Sequence, residues 1–97
     1  MALATRTQGE AKAVGEWGLA VATGMLGEAR AEGADGVATT TNAGGRVMGA
    51  RGCALFAVER ADSGKISSVA AAIVDGANIK PDTWYTCRDG KLKEVGK

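Results

Sequence analysis

Two carboxylates, Glu10 and Glu28, are the first residues whose types suggest chemistry, because paired carboxylates carry out general acid–base catalysis in many enzymes. Each has a basic residue two positions later, Lys12 and Arg30. A solvated ladder of opposite charges explains this pattern better than a catalytic pair, since exposed ion pairs are common and contribute little. The sequence contains no histidine, which excludes Ser–His and Cys–His nucleophilic pairs. We therefore expect no enzyme activity and no catalytic residues.

Glycine-rich segments are the second feature that suggests a ligand, because backbone N–H groups at such turns can cradle a phosphate. Two segments have this composition, Gly33-Ala34-Asp35-Gly36 and Gly44-Gly45-Arg46. A phosphate loop needs a strand before it and a helix after it, and neither is indicated at these positions. We interpret the glycines as backbone corners and predict no cofactor-binding residues.

The residue types also give no support for a metal site. Calcium-binding nonapeptide rolls follow the pattern G-G-x-G-x-D-x-U-x, in which the aspartate binds calcium. The residues at the aspartate position here are Ala11, Ala20, Ala29 and Ala38. Cys53 and Cys87 lie outside any C-x-x-C spacing, which favours free, half-buried thiols over a zinc site or a disulfide.

Composition limits the classes of partner. The 97 residues carry a net charge of +1, from 12 basic and 11 acidic side chains, so no bulk charge favours nucleic acid or an anionic membrane. The longest apolar runs, such as residues 69–74, are far shorter than the roughly 20 residues needed to cross a bilayer. Residues 1–6 lack the long apolar core of a signal peptide. We expect a soluble, non-secreted protein without a membrane or nucleic-acid partner.

The elements that position these side chains follow a nine-residue repeat. Glycines recur in two series that are in step, at Gly9, Gly18, Gly27, Gly36 and Gly45, and at Gly15, Gly24 and Gly33. The repeat unit is G-x-x-G-x-A-x-A-x, in which x-A-x-A-x alternates with the period of a strand and G-x-x-G supplies a corner. Glycine every three to six residues rules out a helix, since each costs about 1 kcal/mol there. A nine-residue period of strand and corner predicts a β-solenoid.

The residues between the alanines indicate two unlike faces. Small residues point inward into a thin core, and the outward pairs alternate between charged and apolar: Glu10/Lys12, Leu19/Val21, Glu28/Arg30 and Val37/Thr39. The period is therefore 18 residues, with two half-coils in each coil. The residues expected on the apolar outer face are Leu19, Val21, Val37, Thr39 and, if the pattern extends further, Leu55. Such a face needs cover from the chain's own tail or from a partner, and we favour a homo-oligomer, most simply a dimer.

The repeat ends near Arg51, and the remaining residues have strand and turn signals of a different kind. We predict one domain over residues 1–97, with the solenoid at 6–51 and an antiparallel β-meander cap at 52–97. Asp75-Gly76 is a hairpin signal, and Asp89-Gly90 is typical of a type I′ turn. The predicted fold is all-β, a short β-solenoid followed by this cap.

The tail carries a resemblance to a known group of proteins. Its segments Val74-Asp75-Gly76, Ile79-Lys80-Pro81-Asp82-Thr83-Trp84-Tyr85 and Asp89-Gly90-Lys91 resemble the ending of uncharacterised phage and prophage proteins, in which Gly/Ser/Ala nonapeptide repeats precede the tail. Glycine stands here at several repeat positions where that group often has serine. The resemblance implies a phage or prophage source and a capped β-solenoid, and it implies no activity.

Two clusters are candidates for contact with a partner protein. Trp17, Met25 and Leu26 place large apolar side chains at coil corners, where they either cap the thin stack or form a binding hot spot. Arg88, Lys91 and Lys93 surround the last hairpin and are either solvated or bind an acidic surface.

Two classes of function follow from these expectations. The first is a non-catalytic, phage-encoded binding protein that acts in the host bacterial cytoplasm, for example as an inhibitor of a host defence complex in the manner of anti-CRISPR proteins. The alternative is a component of the virion, either a decoration or an assembly protein. In both classes the partner is a host or phage protein.

Overall fold

The computed structural model describes residues 1–95, which form ten β-strands and no helix. The strands are β1 Ala2–Ala4, β2 Glu10–Ala13, β3 Leu19–Ala22, β4 Glu28–Ala31, β5 Val37–Thr40, β6 Arg46–Gly49, β7 Ala54–Arg60, β8 Ile66–Ile73, β9 Tyr85–Arg88 and β10 Lys91–Glu94. The prediction of an all-β protein is therefore confirmed.

Successive strands of the repeat alternate between two sheets. Sheet A has the order β1-β3-β5-β7-β8, and sheet B has the order β10-β9-β6-β4-β2. Pairing among β1 to β6 is parallel and joins residues 18 apart, for example Glu10 with Glu28 in sheet B and Leu19 with Val37 in sheet A. Each coil therefore contributes one strand to each sheet, which confirms the predicted β-solenoid with nine-residue half-coils.

Alanine fills most of the space between the two sheets. Ala20, Ala22, Ala29 and Ala38 have no exposed surface. Because each adds only a methyl group, the two backbones come close together and leave no room for larger residues. The larger buried side chains are Val47, Leu55 and Val74, which belong to β6 and the cap.

The corner glycines are required by close approach between coils. A Cβ atom at Gly24 would lie 2.1 Å from the carbonyl oxygen of Arg6, and one at Gly33 would lie 2.2 Å from that of Gly15. The positive φ values in the same corners belong instead to non-glycine residues: Gln8, Trp17, Leu26 and Asp35. The repeat therefore conserves space at its glycines while other residues adopt the left-handed conformation.

Backbone hydrogen bonds connect each corner to the next coil. The N–H of Gln8 donates to the carbonyl oxygen of Met25 at 2.8 Å, and the N–H of Leu26 donates to that of Ala43 at 2.9 Å. These bonds offset the cost of a left-handed conformation at a residue that has a Cβ atom.

The residues after the repeat cap the stack with two hairpins, and each hairpin extends a different sheet. Strand β8 pairs antiparallel with β7 in sheet A, while β9 and β10 pair antiparallel in sheet B, with β9 beside β6. The turn between β9 and β10 has φ of 52° at Asp89 and 79° at Gly90, as the predicted type I′ turn requires. The predicted antiparallel cap is confirmed in this divided form.

Leu55 points into the core, and its predicted place on the outer face of sheet A is wrong. The last corner is one residue shorter than the others, so β7 pairs with β5 at an offset of 17 residues, with Leu55 opposite Ala38 and Phe56 opposite Thr39. A shift by one residue exchanges the two faces of a strand. Leu55 is therefore buried, and Phe56 takes the outer position.

Asp75 organises the connection between the two hairpins, so the hairpin predicted at Asp75-Gly76 does not form. Its carboxylate accepts the N–H groups of Ala77, Asn78 and Ile79 at 2.8, 2.9 and 3.0 Å. These bonds, led by that from Ile79, lower the pKa of Asp75. The loop takes the chain from sheet A to sheet B rather than back along the same sheet.

The glycine contacts generate a matched test. Gly33→Ala places a Cβ atom against the backbone of the preceding coil, so we expect a loss of about 1–3 kcal/mol in the free energy of unfolding. Gly15→Ala has no atom within 4 Å of its Cβ, so we expect no loss. Urea denaturation followed by circular dichroism measures both, and equal destabilisation of the two variants would contradict the close-approach explanation.

Thr40 provides a second test, because its buried hydroxyl has no hydrogen-bond partner among the described residues. Thr40→Val keeps the shape and removes an unsatisfied polar group, so we expect a gain of about 1 kcal/mol in the free energy of unfolding. Thr39→Val, on the outer face of the same strand, is the control. A loss of stability in Thr40→Val would show that the hydroxyl is hydrogen-bonded in solution.

Candidate functional site

The outer face of sheet A is apolar across all five strands. In one row Leu3, Val21, Thr39 and Phe56 lie side by side, and in the next Leu19, Val37, Ala54 and Ile73 do so. Val69 and Ala71 of β8 extend the same surface. No charged residue occupies any of these positions. We call this surface, made of the ten residues named here, the apolar face.

The cap lengthens the apolar face and does not cover it. Strands β7 and β8 continue sheet A, so they add Phe56, Val69 and Ile73 to its outer side. Leu3 is 56% exposed, Val69 48% and Ile73 65%, while Leu19, Val21 and Val37 are partly exposed between them. Within the described residues, cover by the chain's own tail, one of the two expected possibilities, is therefore excluded.

The outer face of sheet B is charged. Lys12 and Arg30 lie beside each other, as do Glu10 and Glu28, and Arg46 follows Glu28 in the next strand. Arg46 forms an ion pair with Glu28, and Arg30 forms one with Glu32 at 3.2 Å. Glu10 and Glu28 are thus neighbours in a ladder that alternates with basic residues, as expected, and Glu28 is neutralised.

Trp84 packs against this charged ladder. The guanidinium carbons of Arg30 and Arg46 lie 5.5 and 5.3 Å from the centroid of its ring, a distance at which cation–π attraction operates. The tryptophan is half-buried, so it fixes the two arginines as well as the start of β9. The sequence gave no signal for this contact, because Trp84 is distant in the chain from both arginines.

Two clefts lie on the same face, one on each side of Val95. The first has a volume of about 580 Å³ and is lined by Leu26, Gly44, Arg46, Thr86 and Arg88 with Gln8 and Glu28. The second has a volume of about 520 Å³ and is lined by Arg30, Glu32, Met48, Asp82, Trp84 and Glu94 with Thr83. Both volumes fall in the range of ligand-binding clefts.

The predicted partner-contact residues separate into three places. Leu26 and Arg88, from the two predicted clusters, meet in the first cleft. Trp17 is 75% exposed at a corner that leads from sheet B to sheet A, whereas Met25 and Leu26 belong to a corner that leads from A to B. Successive corners lie at opposite edges of the coil, so Trp17 does not join that cluster. Lys91 and Lys93 are exposed on β10.

The cysteines and carboxylates form no further constellation among the described residues. Cys53 and Cys87 are both buried and free, and the thiol of Cys53 lies 3.2 Å from the carbonyl oxygen of Gly33. Residues 1–95 contain no group of three or more cysteine, aspartate or glutamate side chains that could hold a metal ion. The two surfaces and the clefts are therefore the features available for a function.

A search of protein-family models, curated proteins and solved structures found no match for this chain. The resemblance to phage and prophage proteins thus stays a prediction from the residues of the tail. Among residues 1–95 no helix is long and apolar enough to cross a membrane.

Proposed function

We propose that this protein is a non-catalytic protein-binding module that forms a homodimer through the apolar face. The observation that carries the proposal is the absence of charge from ten outward positions on five adjacent strands. On other strands of the same small protein the outward positions carry Glu, Lys and Arg, so the difference belongs to one sheet. Large exposed apolar surfaces on soluble domains mark sites of association.

The size of the apolar face fits a weak dimer. Five strands spaced about 4.8 Å apart, each about 13 Å long, give a flat area of about 300 Å² before side-chain relief and the longer β7 and β8 are added. Standard interfaces bury about 800 Å² on each partner. A twofold arrangement lets the same patch contact itself, which is the commonest symmetry of homodimers. We expect dissociation constants on the order of micromolar.

Dimerisation through sheet A leaves both copies of sheet B facing outward. Each dimer then presents two identical charged faces, each with its two clefts, and a bivalent binder gains avidity when its target is itself multimeric. We propose that the module acts in this way as a phage-encoded inhibitor of a host defence complex in the bacterial cytoplasm. The phage source rests on the resemblance of the tail. A virion decoration or assembly protein is the alternative proposal.

The apolar face is tested by charge insertion. Val21→Glu with Val37→Glu buries two carboxylates in the proposed interface, so we expect the mass in solution to fall from a dimer to the 9.8 kDa monomer. Sedimentation equilibrium across a range of micromolar concentrations measures this. Lys12→Glu, on the outer face of sheet B, is the control and leaves the mass unchanged. A wild-type chain that is monomeric throughout, or a double variant that remains dimeric, would contradict the interface.

The proposed role in the host is tested by affinity purification. The tagged wild-type protein, expressed during phage infection, is expected to recover the subunits of one defence complex in constant ratio, identified by mass spectrometry. The Val21→Glu, Val37→Glu variant should recover less, because it lacks avidity. Recovery of capsid or tail proteins in place of host subunits would reject the inhibitor and support the virion alternative.

A further inference from the structure

We infer that the two clefts beside Val95 form one groove for an extended segment of a partner protein that carries a carboxylate at one end and a basic group at the other. The inference rests on the proposed function, since it requires a protein partner, and it identifies the chemistry of that partner. It does not depend on the dimer, because the groove lies on the opposite sheet.

The first cleft has an unpaired positive charge. Arg46 is neutralised by Glu28, whereas Arg88 has no carboxylate within 4.0 Å among the described residues. Arg88 is exposed, and the hydroxyl of Thr86 beside it is occupied by a hydrogen bond of 2.8 Å to the carbonyl oxygen of Gly45. The free donor in this cleft is therefore the guanidinium of Arg88, and its preferred ligand is a carboxylate.

The second cleft has an unpaired negative charge. Glu32 pairs with Arg30, and Glu94 pairs with Lys80 at 3.6 Å. Asp82 has no basic group within 4.0 Å among the described residues. Its backbone is fixed, because its N–H donates to the carbonyl oxygen of Gly49 at 3.1 Å and its φ is 54°. A held, exposed carboxylate of this kind selects a lysine or an arginine.

An apolar stretch separates the two charges. Val95 lines both clefts, Leu26 lies in the first and Met48 in the second. The groove thus offers a cation, an apolar middle and an anion in sequence. An extended peptide with an acidic residue, one or more apolar residues and a basic residue matches all three, and charge complementarity fixes its direction.

A nucleic acid matches the groove poorly. The aromatic ring of Trp84 beside two arginines resembles the stacking platforms that bind single strands. However, the second cleft contains the carboxylates of Glu32, Asp82 and Glu94, which repel a continuous row of phosphates. The arginines beside Trp84 are also already paired with glutamates. These contacts favour a protein segment that carries both signs of charge.

The groove is tested with a displayed library of random 12-residue peptides, selected on the wild-type protein. We expect the enriched peptides to share an acidic and a basic residue on either side of an apolar one. A synthetic peptide of that consensus, with a fluorescent label, then gives the dissociation constant by polarisation. Arg88→Glu is expected to weaken binding at least tenfold, because it repels the carboxylate. Asp82→Asn, which tolerates the positive φ, is expected to weaken it about threefold or more.

Matched controls separate this groove from general charge. Lys91→Glu removes a basic group opposite Arg88 on the hairpin, and Asp62→Asn removes a carboxylate from the turn after β7. Both should change the dissociation constant less than twofold. The Val21→Glu, Val37→Glu variant should bind the peptide with unchanged affinity per chain, so loss of the dimer and loss of the groove are measured separately.

Three results would overturn the inference. One is a library that yields no shared sequence, and another is a consensus peptide whose affinity is the same for wild type, Arg88→Glu and Asp82→Asn. The third is an oligothymidylate of 12 nucleotides that binds the wild-type protein more tightly than the consensus peptide, which would assign the groove to nucleic acid.

Discussion

The close contact between stacked backbones at the coil corners is the constraint on which the rest of the structure depends. At Gly24 and Gly33 the preceding coil lies where a Cβ atom would be, so only glycine permits the stacking distance. That contact holds successive coils at an offset of 18 residues, and the alanines then align above one another to form the core. Because the core is made of methyl groups, little of its stability comes from any one side chain, and the regular repetition of corners and backbone hydrogen bonds is essential.

An 18-residue period also gives the molecule two unlike outer surfaces. Each half-coil always returns to the same sheet, so every outward residue of sheet A is aligned with outward residues of sheet A only. Apolar side chains therefore accumulate on one side and charged side chains on the other. A chain of this size has few other elements with which to cover an apolar sheet, and its two hairpins are used to extend the sheets and close the end of the stack. The apolar face is left for association, and the charged face is left for a partner.

The shortened corner before β7 shows how sensitive this arrangement is to a single residue. Strands have a period of two, so an offset of 17 in place of 18 moves Leu55 inward and Phe56 outward. The exchange is suited to the cap, where the larger Leu55 fills the end of a core that is narrow elsewhere. It also places an aromatic ring in the apolar face. The divided cap has a similar effect on sheet B, since the return of the chain to β9 brings Trp84 against Arg30 and Arg46 and forms the walls of both clefts.

The sequence by itself determined the features that repeat. Glycine spacing, alternation about the alanines and the Asp89-Gly90 turn are local patterns, and each states its own geometry wherever it occurs, so the coil, the inward alanines and four of the five predicted residues of the apolar face followed from them. The tertiary structure alone decided what depends on contacts between distant segments. These are the length of the last corner, the sheet that each hairpin joins, the separation of Trp17 from Leu26, and the meeting of Leu26 with Arg88 in one cleft. No local pattern encodes them, because they result from the packing of a unique cap against the end of a repetitive stack.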